Sequence, residues 1–280
     1  MTWWCSATRL PWDWSPRAYP GVWLAMAGLM TWYVLARRRL TPEERAAGDR
    51  RRPLAFAGGW LALWVATDWP LGALGSGYLA SAHMVQYLLY TQVAAPLLVL
   101  GLDEPMLRHV LARTRTTELV RLLCRPVAAA VLFNAVLIAT HAPVTVDALR
   151  ASQMGSFVLD GLWLLSGLIL WLPVCGPLDE MRPSYPVRAV LLFVGAGVVP
   201  MIPGGFLTFA DTPLYGIYEL APRVGGFDAG VDQQLAGALM KVGNVPLLWP
   251  AIGVLFARWA RESGAATPAP PTLREANRSA

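Results

Sequence analysis

Residues 81–101 read Ser-Ala-His-Met-Val-Gln-Tyr-Leu-Leu-Tyr-Thr-Gln-Val-Ala-Ala-Pro-Leu-Leu-Val-Leu-Gly. The run is apolar enough to cross a bilayer, yet its first half carries a histidine, two glutamines and two tyrosines. At helical spacing His83, Tyr87 and Tyr90 share one face, with Gln86 beside them. Lipid would reject that face, so it must turn into a bundle or a cavity.

Similar apolar runs recur along the chain between clusters of arginine. Only 15% of the residues are charged, against about 25% in a soluble domain. The expected class is therefore an all-α, polytopic membrane protein. A net charge of +5 could suggest nucleic acid, but the arginines sit in the loops between apolar runs, where membrane topology alone places them. No nucleic-acid partner is expected.

The runs predict seven transmembrane helices, over about 19–36, 54–67, 78–101, 126–141, 154–172, 187–209 and 232–258. Before them, residues 1–18 form a Trp- and Pro-rich interfacial segment with Trp3, Trp4, Trp12 and Trp14. The segment lacks the basic start and small-residue cleavage site of a signal peptide, and is expected to be retained. Residues 19–260 make the membrane domain, and 261–280 a disordered tail rich in Ala and Pro. Arg108, Arg113, Arg115, Arg121 and Arg125 follow the third run, where a short amphipathic helix could lie on the membrane surface. Gly195, Gly197, Pro200, Pro203, Gly204 and Gly205 break the sixth run, which needs shielding for the freed backbone groups. Asp232 is the expected N-cap of the seventh, with kinks at Pro246 and Pro250.

Lys and Arg concentrate in the loops after the first, third and fifth runs and in the tail, so those loops face the cytoplasm. The N-terminus is then outside and the C-terminus inside. This orientation gathers the polar residues into the outer half of the bundle: His83, Gln86, Tyr87, His141, Asp160 and Lys241, with Met201 and Met240, and Asp68, Asp147 and Asp211 at outer ends or loops.

His83, His141, Met201 and Met240 are the candidate metal ligands, since imidazole and thioether suit copper, with Met favouring Cu(I). No HxxxH or MxxM spacing ties them together, and the alternative is that the histidines donate to backbone carbonyls while the methionines fill gaps. Asp160 and Lys241 have similar expected depths and could form an intramembrane ion pair, either a clasp between the fifth and seventh spans or part of an ion pathway. Asp68, Asp232 and Gln233 join Gln86 and Tyr87 as lining of a polar pocket, though Asp232-Gln233-Gln234 also suits a helix start. Cys5 is a lone outer thiol, and Cys124 and Cys175 fall on the reducing side, so no disulfide is expected.

Several motifs run in a telling order. Ser81-Ala82-His83-Met84-Val85-Gln86-Tyr87 leads to Ala94-Ala95-Pro96-Leu97-Leu98-Val99-Leu100-Gly101. His141-Ala142-Pro143 with Asp147 follows, then Gly167-Leu168-Ile169-Leu170-Trp171-Leu172-Pro173. Leu207-Thr208-Phe209-Ala210 with Pro213-Leu214-Tyr215, and Asp232-Gln233-Gln234-Leu235-Ala236-Gly237, complete the series. Together they resemble the CtaG family of cytochrome c oxidase assembly factors, the group associated with caa3-type oxidases. The resemblance covers nearly the whole chain except its termini. It implies a non-catalytic accessory factor of a bacterial inner membrane, handling copper at the outer face and meeting oxidase subunits or copper chaperones. Three positions depart from the family pattern: Tyr87 and Asp160 stand where it has histidines, and Lys241 where it has an aromatic. The expectation is a metal site turned into an ion pair, with the fold kept and copper affinity weakened or lost. The alternatives of another class are a small-solute or ion transporter using the broken sixth span and the Asp160/Lys241 pair, and a haem protein using His83 and His141.

Overall fold

The structure is a computed structural model that describes residues 2–266. Those residues are helical with no strand. We number seven helices: α1 Pro20–Arg38, α2 Arg52–Thr67, α3 Ala80–Leu100, α4 Pro126–His141, α5 Gln153–Cys175, α6 Tyr185–Phe209 and α7 Ala229–Gly264. Four of them, α3, α5, α6 and α7, are long and apolar enough to cross a membrane. A fifth span results if α4 is joined to Thr117–Leu123, from which it turns by 81°. Helices α1 and α2 stand where spans were expected. With 16 residues α2 is only about 24 Å long, short of a ~30 Å hydrocarbon core.

Helix α3 is the axis. Helix α2 and α5 pack along it, and the first half of α7 packs against its beginning. Between Leu89 and Ala94 α3 widens into a π-helical turn. The Thr91 carbonyl there accepts a 2.9 Å hydrogen bond from Trp171 Nε1 of α5. Such insertions re-aim side chains and often mark functional sites. Helix α6 has a similar π-helical stretch over Leu191–Val198, followed by a break before Met201. Asn244 Nδ2 reaches the Ala196 carbonyl at 2.9 Å, supplying the shielding that a broken span requires.

Three local expectations change. Asp232 is not the N-cap of α7: Asp228 is, accepting from the Gly230 and Val231 amides. The break in α7 falls at Gly243–Asn244, just ahead of Pro246, with Pro250 inside the helix that follows. That helix continues through residues 261–266, and the remainder of the expected tail lies outside the described residues. The surface helix expected after α3 is a pair, Glu104–Thr114 and Thr117–Leu123. Leu107 and Leu111 of the first pack on Cys124, Leu178 and Met181, while Leu119 and Leu122 of the second are exposed.

The bundle has two unlike ends. At one, Asp103 is buried near Arg37 and Arg52, at 3.7 and 3.5 Å. At the other, the start of α3, the end of α4 and the start of α5 meet the N-terminal segment and the connection between α6 and α7. His83, Gln86, His141, Arg150, Asp160 and Asp232 gather there.

Candidate functional site

His83 lies one turn into α3 and His141 is the last residue of α4. Their rings approach to 5.7 Å between centroids, and their exposures are 0% and 4%. Trp163 of α5 stacks on His141 and meets His83 edge-on at 4.8 Å, so one indole holds both imidazoles. Trp163 is fixed by its Nε1 bond to Thr140 Oγ1 at 3.0 Å. Tyr87, one turn below His83, packs edge-on to His141 at 4.8 Å.

The hydrogen-bond network assigns the imidazole tautomers. His141 Nδ1 is 2.9 Å from the Leu137 carbonyl, which can only accept, so Nδ1 carries the proton. The Tyr218 hydroxyl lies 2.5 Å from the Gly75 carbonyl and 2.8 Å from His83 Nδ1. Its single proton goes to the carbonyl, so its oxygen accepts from His83 Nδ1–H. Burial pushes the Tyr218 pKa up, which keeps that proton in place. Both histidines therefore present an unprotonated Nε2, and both of these atoms are buried with no hydrogen-bond partner. Buried acceptors without donors on neighbouring imidazoles can take a water or a cation.

The charged residue that dominates this end is Arg150, which closes the short helix Pro143–Arg150 between α4 and α5. It is 0% exposed. Its Nη1 is 3.0 Å from Asp160 Oδ1, and its guanidinium lies over the Trp163 ring at 5.2 Å. Arg150 Nη2 reaches Gln86 Oε1 at 3.4 Å, and its Nε points at His83 Nδ1 at the same distance, a donor facing a donor, so the shorter 2.8 Å Tyr218 contact decides that tautomer.

The expected pair of Asp160 with Lys241 is not formed. Asp160 is engaged by Arg150 and by Trp4 Nε1 at 2.9 Å, while Lys241 lies over the Phe209 ring at 4.7 Å. Depth along a helix does not fix its rotation, and the nearer guanidinium takes the carboxylate.

The other proposed residues distribute as follows. Gln86 joins the cluster and donates to the Ala66 carbonyl at 2.7 Å. Met201 is 44% exposed, outside the site, and Met240 is buried beside Gly204 of α6. Asp232 caps the start of α3 through the Ala80 amide at 2.6 Å and through Ser81. Gln233 fixes the incoming connection, accepting from the Leu214 amide at 2.5 Å and donating to the Thr212 carbonyl at 3.3 Å. Asp68 accepts from the indoles of Trp23 and Trp64 at the end of α2, at 2.9 and 2.7 Å. Asp147 holds the Gly216 and Ile217 amides, and so positions Tyr218.

The sequence reading passed over Arg150, Tyr218 and Trp4. A signal existed for Arg150, an arginine in a loop that the charge bias places outside. No cluster of three or more His, Cys, Asp or Glu side chains able to hold a metal occurs among the described residues. What the site offers a metal is the histidine pair alone. His141 also borders an apolar cleft of about 340 Å³, walled by residues such as Ile138, Ile202 and Phe206, which offers a cation no ligands.

The fold and this cluster define a polytopic helical membrane protein with a buried histidine and ion-pair cluster at one end of its bundle. The sequence profile of the cytochrome c oxidase caa3 assembly factor family (Caa3_CtaG) matches residues 31–262, and the chain belongs to that family. No curated protein and no solved structure matches it.

Proposed function

We propose that the protein is a non-catalytic accessory factor for cytochrome c oxidase that holds Cu(I) in transit between His83 and His141. The supporting observation is the pair of buried, unprotonated Nε2 atoms on neighbouring imidazoles in a member of an oxidase assembly family. Two neutral nitrogen ligands suit a monovalent ion of low coordination number and leave it exchangeable, as cargo requires. Arg150 beside the pair opposes the higher charge of a divalent ion.

In this reading the chain crosses a bacterial inner membrane seven times, with the histidine end on the outer face. The Arg-rich loops around Arg37–Arg52 and Arg108–Arg125 then face the cytoplasm. Helices α1 and α2, and α4 alone, are the short spans. Copper would pass to an oxidase subunit or come from a copper chaperone at the outer surface. The transport alternative loses its main support, because the carboxylate it needs is paired with Arg150.

Titration of the purified protein with Ag(I), a redox-inert stand-in for Cu(I), tests the reading. One ion per chain is expected, with at least a tenfold loss of affinity in His83→Ala and in His141→Ala. Unchanged binding in the double variant would overturn it.

A further inference from the structure

His83 is 0% exposed, so no ion reaches its imidazole unless a covering segment moves; His141, at 4%, borders only the apolar cleft. One piece of chain stands out as that cover. Residues 3–8 have no regular secondary structure, yet Trp4 and Cys5 are buried at 5% and 1% exposure against the site's own ion pair. The segment is tied down by separate single bonds. Trp3 N donates to Gln153 Oε1 at 2.7 Å, Trp4 Nε1 to Asp160 Oδ2 at 2.9 Å and Cys5 Sγ to the Thr67 carbonyl at 3.2 Å. Ala7 N donates to the Arg150 carbonyl at 2.9 Å, and the Trp3 carbonyl receives Gly21 N at 2.9 Å.

Two glycines form its seat. A Cβ on Gly21 would fall 2.5 Å from the Trp3 ring, and one on Gly77 would fall 2.6 Å from Ala7 Cα. Beside the segment lies a cavity of about 510 Å³. Ala7, Thr8 and Arg9 make one wall, facing Asp147, Ala151 and Gly216. The facing wall adjoins the site through the chain: Arg150 precedes Ala151, and Tyr218, two residues after Gly216, bonds His83.

We infer that residues 3–8 form a displaceable plug that separates this cavity from the histidine pair, and that a soft monovalent cation enters only when the plug lifts. The cargo in that statement rests on the copper reading above, whereas the plug itself does not. Trp4 couples plug and site, since lifting it removes a donor from Asp160, the partner of Arg150. Besides these bonds Trp3 and Trp4 pack on Phe157, but a segment with no regular structure of its own can open without unfolding the bundle. The plug precedes the family-matched region, which begins at residue 31.

Diethyl pyrocarbonate, which modifies an unprotonated imidazole, tests the plug without any metal. The chain has three histidines, and His109 is exposed at the far end of the bundle as an internal reference. Modification is read by peptide mass spectrometry on the full chain in detergent, relative to His109. Trp4→Phe removes the indole bond, and Gly21→Ala drives a methyl into Trp3 from a helix that tolerates alanine. Each is expected to speed modification of His83 and His141 about tenfold, the worth of one or two lost hydrogen bonds. Phe206→Ala, which widens the apolar cleft beside His141, is expected to leave the rates unchanged. Unchanged rates in Gly21→Ala, or faster modification in Phe206→Ala alone, would overturn the plug. Ag(I) association is expected to accelerate in parallel. Faster histidine modification with no Ag(I) binding in any variant would support the plug and overturn the copper reading.

Discussion

Removing one member of the Arg150–Asp160 pair should be the most damaging single change at the histidine end of the bundle. The guanidinium is fully buried, and 3.0 Å away lies the one carboxylate that neutralises it. Asp160→Leu leaves that cation without a counter-charge and strips Trp4 of its acceptor. Breaking a buried pair in this way costs about 3–5 kcal/mol, and the lost indole bond about 1 kcal/mol more. Arg150→Met leaves the carboxylate stranded, at a similar cost of about 3–5 kcal/mol. The double variant replaces both charges by apolar groups and should cost much less than the two changes summed, with a coupling of at least ~2 kcal/mol. The assay is a double-mutant cycle on reversible unfolding in mixed micelles, followed by helical circular dichroism. A parallel cycle with Asp160→Leu and Lys241→Met should be additive within about 0.5 kcal/mol, because Lys241 rests on Phe209 instead. Additivity in the first cycle, or strong coupling in the second, would refute the pairing on which the site is built.

Other outcomes follow from packing and titration. Gly167→Ala puts a methyl 2.9 Å from Ala95 Cβ and 3.1 Å from Thr91 Cα, where α5 crosses α3; it should destabilise by about 1–3 kcal/mol in the same unfolding assay. Tyr218 is held in its neutral form by burial, so the folded state keeps a proton that the unfolded chain releases above pH ~10. Stability should fall as pH rises past that point, by up to about 1.4 kcal/mol per pH unit from this group, and Tyr218→Phe should flatten the slope by that share.

The membrane class and the meeting of His83 with His141 were legible in the sequence, because span length, charge bias and helical spacing together determine which end of each helix a residue occupies. The partner of Asp160 was not. Distance along a helix says nothing of azimuth, and Arg150 looked like one more loop arginine. Its anomaly was positional: charge bias disfavours an arginine on the outer side, and burying this one requires the carboxylate ten residues later. Trp4 was hidden by its own composition, since indoles near a first span read as interfacial. Trp12 and Trp14 do keep company near the surface with Tyr78 and Trp69, while Trp4 turns inward to Asp160. Asp232 misled for a simpler reason: Asp228 already caps the helix, which frees Asp232 to cap another.

The departures from the family pattern can be argued from the same geometry. Tyr87 stands where the pattern has a histidine, and its ring packs 4.8 Å from His141 and 5.5 Å from Trp163. An imidazole there would sit one turn from His83 on the same helix face, adding a third nitrogen to a pair that now offers two. Tyr87→His should therefore raise Ag(I) affinity by at least about tenfold, and should let the site hold Co(II), whose visible bands report coordination by three or more ligands. Asp160 should not be converted in the same way: it neutralises Arg150, and a histidine there would leave the buried guanidinium without a counter-charge. If Tyr87→His binds silver no better than the parent protein and stays colourless with cobalt, the imidazoles do not converge on a common point. The two Nε2 atoms would then be neighbours without being ligands.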